Sequence, residues 1–310
     1  MSGTRPAGTI PVHERTAVEG GSSRPEALID IYRSAAGRRI LAELHRERLA
    51  RSPIPLERHR VPARDGDAFV LAAGAGSAPP LVLLHGAATD STSWLSSMTV
   101  LASRFRVLAV DIIGEAGNSA PVRPPPESGR YAAWLDAVLD GCGVADVVVL
   151  AASLGGWIAL DHAVRRPGRI TRMVLLSPNG IGRQRWAARV ASTGLPLGGA
   201  PGRVLARYLL GPGLRAVPDA DRLVADTATI ARHFRPRTDP LPLFTDEQLA
   251  GIRAALLAVV GTRDVLIDAA QTCRRLREHT AAAVRPLPGI GHLIPPQGDL
   301  VPNFLLAERD

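Results

Sequence analysis

The sequence predicts an α/β fold: a mostly parallel, doubly wound sheet with helices on both faces. Three observations predict it. Short apolar runs recur along the chain without polar alternation, as strands buried on both faces do. Segments with apolar residues at helical spacing separate them. Between Ser177 and Ala255 that alternation lapses into several helical segments broken by proline and glycine, an insertion of the size that doubly wound domains use as a lid.

The elements follow in order. Residues 1–25 lack an apolar core and read as a disordered arm with no secretory signal. Leu28, Ile31, Ile40, Leu41 and Leu44 carry helical periodicity over Glu26 to Arg51, with Gly37 as a candidate break. Arg58 to Val61 and Ala68 to Ala72 read as strands around the turn "RDGD". "PLVLLHG" is a buried strand, followed by a helix through Trp94, Leu95, Met98 and Leu101, and "RVLAVD" is the next strand. Tyr131, Trp134, Leu135, Val138 and Leu139 mark a helix that Gly141 ends.

"VVVLAASLGGW" (Val147 to Trp157) is the most informative stretch. A buried strand gives way at Ser153 to a helix through Leu154, Trp157, Ile158, Leu160 and Val164, with no loop between them. Such a bend brings two backbones close, so its neighbours must be small, and Ala151, Ala152, Gly155 and Gly156 are. The serine is then forced outward, beside the unpaired first amides of the helix. This is the pattern of a nucleophile elbow, G-x-S-x-G, with Ala151 in place of the first glycine. Taken alone it reads equally as a packing junction with a helix-capping serine.

"RMVLLS" and "ALLAVVG" supply further strands, and the last lies around Ala282 to Pro286. Within the insertion, "TDEQLAGI" opens with a T-x-x-Q capping box at Thr245 and Gln248 and returns the chain to the sheet. The expected organisation is a core of residues 26–180 and 252–310 with a helical cap at 181–251.

In an open parallel sheet, chemistry gathers past the carboxyl ends of the strands. Those ends carry His85-Gly86-Ala87, Asp111, Ser153, Thr262-Arg263-Asp264 and Gly289-Ile290-Gly291-His292. Serine, then acid, then histidine is the order of a triad in which His292 is the base and Asp264 orients it. A serine hydroxyl needs such a base. The amides of Ala87 and Leu154 are the candidate oxyanion hole, with Gly86 allowing close approach. Asp111 reads as a brace for the strand-end loops, and Asp268, the rival acid, as a cap for the next helix. His85 reads as a holder of loop carbonyls, Asp161 and His162 as surface or packing residues, and Cys142 as a small apolar residue. Trp157, Trp186, Tyr208 and Phe234 are core or cap residues that could also line an acyl pocket, and Arg183, Arg185 and Arg207 would give the cap a basic rim.

With these residues in place, the chain resembles the α/β-hydrolase superfamily from about Leu56 onward, and within it bacterial carboxylesterases. The matches are "LVLLHG", "AVDIIGEAGNS", "YAAWLDAV", "SLGGW" and "LFTDEQL". The resemblance implies a cofactor-free serine esterase of the α/β-hydrolase fold with a helical cap. Ala151 and the long arginine-rich N-terminal region depart from the family pattern.

Composition narrows the function classes. The chain has 310 residues, 46% hydrophobic, and a formal net charge of +8. All 37 basic residues are arginine, spread beside acids rather than grouped, and aromatics make up 4% with no nucleic-acid motif. A solvated arginine-biased surface is expected, not a nucleic-acid partner. Two cysteines, Cys142 and Cys273, exclude a disulfide framework or a cysteine metal cluster. No run reaches 18 apolar residues, so no membrane span is expected. The reading is a cytoplasmic monomer or homodimer acting on a small-molecule ester or acyl substrate, with no cofactor and no metal. The alternative is a lyase or acyl-transfer enzyme of specialised metabolism using the same triad, and a third reading is a ligand receptor on an enzyme scaffold. A serine at the elbow excludes dehalogenase and epoxide-hydrolase chemistry, which needs aspartate there.

Overall fold

The β-branched and leucine-rich runs of the sequence form eight strands: β1 (Glu57–Val61), β2 (Ala68–Ala73), β3 (Pro80–Leu84), β4 (Arg106–Val110), β5 (Val147–Ala152), β6 (Ile170–Leu176), β7 (Ala255–Gly261) and β8 (Ala283–Leu287). The structure, a computed structural model, describes residues 31–186, 199–237 and 239–307. The sheet order is β1-β2-β4-β3-β5-β6-β7-β8. β1 pairs antiparallel with β2 and β2 with β4. The remaining pairs are parallel.

Each interior strand feeds both faces, because successive side chains point to opposite sides. Val82, Leu84, Val149, Ala151, Met173, Leu175, Ala258 and Val260 enter the larger core. That core is covered by α3 (Arg130–Gly141), α4 (Leu154–Arg165) and α8 (Ala269–His279). Leu81, Leu83, Leu150, Val174, Leu257 and Val259 face the other way, onto α2 (Leu95–Leu101) and α9 (Leu300–Leu306). Period-2 alternation between two apolar faces is why these strands read as unbroken apolar runs.

α1 (Ala35–Ala50) is shorter than the periodicity predicts. Ser34 caps it by accepting from the Gly37 amide, and Gly37 does not break it. Ile31 is buried with Leu41, Ile230 and Phe234 instead of extending the helix, and Tyr32 bridges to Phe234. Residues 26–30, and the arm expected over 1–25, lie outside the described residues.

Between β6 and β7 the chain forms α5 (Gly199–Leu210), a tight turn over Gly211–Ala216, and α6 (Ala220–His233). α7 (Asp246–Ala250) follows, and its Thr245–Gln248 capping box forms as the sequence predicts. Ile181, Leu241, Phe244 and Leu249, at the two ends of this insertion, pack in the larger core. Among the described residues, the excursion from the sheet therefore rests on α5, the turn and α6.

Candidate active site

The junction at Ser153 forms because α4 crowds the end of β3. A methyl group at Gly155 would overlap the Leu84 carbonyl, and one at Gly156 would lie 2.9 Å from Pro178 Cβ. Ser153 itself has φ +49° and ψ −109°, a conformation that non-glycine residues adopt at a cost of about 1–3 kcal/mol. Strain of this kind at a strand-to-helix turn presents the hydroxyl above the sheet.

Three predicted residues, separated by up to 139 positions, meet there. Ser153 Oγ lies 3.0 Å from His292 Nε2. His292 Nδ1 lies 2.7 Å from Asp264 Oδ2. The other Asp264 oxygen accepts from the amides of Leu266 at 2.8 Å and Ile267 at 3.1 Å. Burial pushes the Asp264 carboxyl up, but the His292 charge and hydrogen bond, with those two amides, hold it below the ordinary aspartate value. An ionised Asp264 fixes the imidazole with hydrogen on Nδ1, leaving Nε2 free to accept the serine proton.

The loops bearing the acid and the histidine are tied together. The Arg263 amide donates to the Ile290 carbonyl at 2.8 Å, and the Gly289 amide to Thr262 Oγ1 at 3.0 Å. Gly261 is a glycine because the backbone of Gly291 passes directly over it. From the other side, the Leu293 amide donates to the Leu210 carbonyl at 3.1 Å, at the end of α5. A methyl at Gly213 would overlap the Leu293 carbonyl oxygen, and one at Gly211 would lie 3.0 Å from Gly291 Cα. The turn after α5 is thus seated on the loop that carries His292.

The candidate oxyanion donors lie beside the nucleophile, Leu154 next to it in the chain and Ala87 next to Gly86. Leu154 opens α4, where the first amides have no intrahelical partner. The next amide, of Gly155, is already used by the His85 carbonyl at 3.0 Å. Gly86 runs beside the nucleophile: a methyl there would lie 3.5 Å from Ser153 Cβ. His85 Nε2 accepts from the Ile112 amide at 2.9 Å, so Nδ1 carries the hydrogen and donates to the Gly86 carbonyl at 2.7 Å. Thr89 Oγ1 donates to the same oxygen at 2.9 Å. In a trans peptide C=O and N–H point in opposite directions, so anchoring the Gly86 carbonyl aims the Ala87 amide away from it. No hydrogen bond occupies the Ala87 amide among the described residues.

The remaining sequence candidates fall elsewhere. Asp111 accepts from the amides of Ser91 and Asn118, both at 2.6 Å, and closes the loops after β3 and β4. Asp268 caps α8 through the Gln271 amide at 2.9 Å. Asp161 and His162, expected at the surface or in packing, are fully buried: Asp161 is ion-paired with Arg165 at 2.6 Å, and His162 Nε2 donates to Asp136 at 2.7 Å. α4 is covered by α3, which leaves it no solvent face at this point. Burial pushes the Cys142 thiol up to about 11, which removes its thiolate at neutral pH. Trp157 is buried, edge-on to Tyr131 and stacked on Phe244, while Trp186 and Tyr208 are exposed and Phe234 packs under α6. Arg183 and Arg185 are exposed, and Arg207 pairs with Asp221. Among the described residues no group of three or more His, Cys, Asp or Glu side chains is placed to hold a metal ion. No helix among them is long and apolar enough to cross a membrane.

Sequence reasoning missed two residues. Asn179, past β6, donates through Nδ2 to Ser153 Oγ at 3.1 Å and is itself held by Gln184 Nε2 at 3.1 Å. Glu115 is buried beside the loop after β3 and accepts from the Ala88 amide at 2.7 Å. Burial pushes its carboxyl up, against the lowering effect of Arg123 and the Ala88 amide.

Comparison with known proteins adds likenesses of three kinds. The sequence profile of the alpha/beta hydrolase family matches residues 81–301. An uncharacterized carboxylesterase, nap, of Bacillus subtilis is 29% identical over 248 residues, covering 73% of this chain and 77% of that protein. Carboxylesterase YbfK of the same organism is 28% identical over 219 residues, covering 69% and 74%. Among solved structures, carboxylesterase CesB (YbfK) superposes with a TM-score of 0.78 over 88% of this chain and 100% of its own, at 23% identity. Naproxen esterase (carboxylesterase NP) from Bacillus subtilis does so with a TM-score of 0.73 over 82% and 91%, at 25% identity.

Proposed function

Because the chain belongs to the alpha/beta hydrolase family, we propose that it is a carboxylic-ester hydrolase working through an acyl-enzyme on Ser153. The observation that carries the proposal is the continuous hydrogen-bonded line from Ser153 Oγ through His292 to Asp264. The likeness to carboxylesterases supports ester bonds as the substrate class.

In this reading Ser153 Oγ attacks the ester carbonyl as His292 Nε2 takes its proton. Asp264 stays ionised and stabilises the imidazolium that forms. The negative charge on the tetrahedral oxygen is met by the amides of Ala87 and Leu154, a type of contact worth about 2.7–4 kcal/mol per donor. His292 then protonates the leaving alcohol, and a water molecule, activated by the same nitrogen, releases the acid. Within residues 181–251, α5, the turn after it and α6 serve as the cap. α5 and the turn after it close over the site while holding the His292 loop.

Hydrolysis of a series of short-acyl aryl esters in ¹⁸O-labelled water tests this. The released acid should carry one labelled oxygen, and kcat/KM should change gradually along the series, by about 0.8 kcal/mol per buried methylene. Acyl products formed without label, or no turnover of any ester, would replace hydrolysis by acyl transfer or elimination at the same site.

A further inference from the structure

We infer that Glu115 is a positioning residue for the oxyanion hole, acting through the single hydrogen bond from the Ala88 amide to its carboxylate. The inference rests on the esterase reading above and deepens it. Ala87 offers its amide to the developing oxyanion; that N–H lies in the Gly86–Ala87 peptide plane, whose rotation the Ala87–Ala88 plane restrains from the other side of the residue. The plane before it is anchored by His85 Nδ1 and Thr89 Oγ1 on the Gly86 carbonyl. The plane after it is anchored by Glu115 Oε2 on the Ala88 amide, at 2.7 Å. With both planes fixed, the Ala87 N–H has one orientation.

Local geometry explains why an external anchor is needed. Ala88 has φ +53°, a left-handed conformation that alanine disfavours. The loop can hold that turn only if its surroundings over-determine it. The Ala88 side chain rests against a small apolar cluster of Ile31, Leu41, Ala116, Ile230 and Phe234, but apolar packing does not fix a peptide's rotation. The Glu115 hydrogen bond is directional and does.

The acceptor is itself held rigidly. The Glu115 amide donates to the Ile112 carbonyl at 3.2 Å, and the Gly114 amide to the Ala120 carbonyl at 2.9 Å. Arg123 Nε donates to the Gly114 carbonyl at 2.9 Å. The Glu115 carboxyl is buried, and its only side-chain hydrogen bond among the described residues is the one to Ala88. A carboxyl withdrawn from water, with one backbone amide as its only hydrogen-bond donor among the described residues and one residue from an amide that no hydrogen bond occupies, is best explained by the direction it imposes.

The test compares Glu115→Ala, Glu115→Gln and Glu115→Asp in the full chain, using a short-acyl aryl ester and an aryl boronic acid as a tetrahedral mimic. Misaiming one oxyanion donor should lower kcat by roughly tenfold to a hundredfold in Glu115→Ala. KM should move less than about threefold, since ground-state binding does not use the donor. Boronate affinity should fall in proportion to kcat. Glu115→Gln retains an oxygen acceptor and should recover most of the loss. Glu115→Asp, one methylene short, should not. If Glu115→Ala fails to fold, Glu115→Asp against Glu115→Gln gives the same contrast. Unchanged kcat in a folded Glu115→Ala or Glu115→Asp variant, or a loss expressed in KM alone, would overturn the inference. Failure of the esterase reading is separate: there the wild-type protein itself would not hydrolyse esters, whether or not it bound the boronate.

Discussion

Asn179 Nδ2 donates to Ser153 Oγ at 3.1 Å, while the Asn179 amide donates to the Ser153 carbonyl at 3.2 Å. One residue thus grips the nucleophile at both its side chain and its backbone. With an Oγ lone pair already engaged, the hydroxyl hydrogen is left for His292 Nε2. Asn179→Ala should lower kcat/KM by roughly tenfold, the rate equivalent of one hydrogen bond of about 1.4 kcal/mol. Asn179→Asp should be worse, because a carboxylate cannot donate and competes with His292 for the serine proton. Steady-state kinetics of the two variants decide it, and full activity in Asn179→Asp would remove Asn179 from the account.

The acid is distinguished by comparing three aspartates. Asp264→Asn should reduce kcat by about 10⁴, since an amide favours the wrong imidazole tautomer. Asp268→Asn should be nearly silent, because asparagine caps a helix as well as aspartate does. Asp111→Asn should cost stability of about 1–3 kcal/mol, as its NH₂ would face a backbone donor. Kinetics and denaturant titration on the same three proteins separate these outcomes.

Much of this arrangement was legible in the sequence, for a definite reason. A parallel sheet buried on both faces writes each interior strand as an apolar run, so the residue that follows each run marks the site's rim. Ser153 directly follows such a run and Asp264 lies just past another, whereas His292 follows β8, an edge strand of half-buried and exposed residues. What was not legible depends on contacts between loops. Asn179 and Glu115 act on atoms 26 and 27 positions away, and nothing in their immediate neighbours signals it. The start of α1 was misplaced for a similar reason: Ile31 is apolar because it packs under α6, not because it belongs to a helix. The sequence leaves open whether His162 lies at the surface or in packing, because the Asp136 that accepts its hydrogen bond lies on the neighbouring helix α3.

Acid should weaken the fold through Asp264. Its carboxyl is held below the ordinary aspartate value of about 3.9 in the folded chain. Folding therefore favours the ionised form. That stabilisation is complete above about pH 5 and is lost as pH falls through the lower folded-state value. Melting temperature measured from pH 6 to pH 3 should drop more steeply for the wild-type chain than for Asp264→Asn. Parallel curves would contradict the linkage.

The seating of the cap turn on the histidine loop predicts a sensitive glycine. Gly213→Ala pushes a methyl into the Leu293 carbonyl, one residue from His292. Displacing the base by even about 1 Å can cost a hundredfold in rate. The variant should keep its secondary structure by circular dichroism and lose at least about tenfold in kcat. Unaltered kcat would mean that the cap and the histidine loop move independently.

The central claim is that Ser153 is an activated nucleophile, and mass spectrometry after treatment with a fluorophosphonate tests it most directly, because the reagent needs the triad and not the natural substrate. The account predicts a single adduct mapping to Ser153, abolished in Ser153→Ala, whose activity should fall by about 10⁴–10⁶ in kcat with the fold intact. An unlabelled Ser153 in the folded protein, or an adduct on another residue that persists in Ser153→Ala, would contradict it.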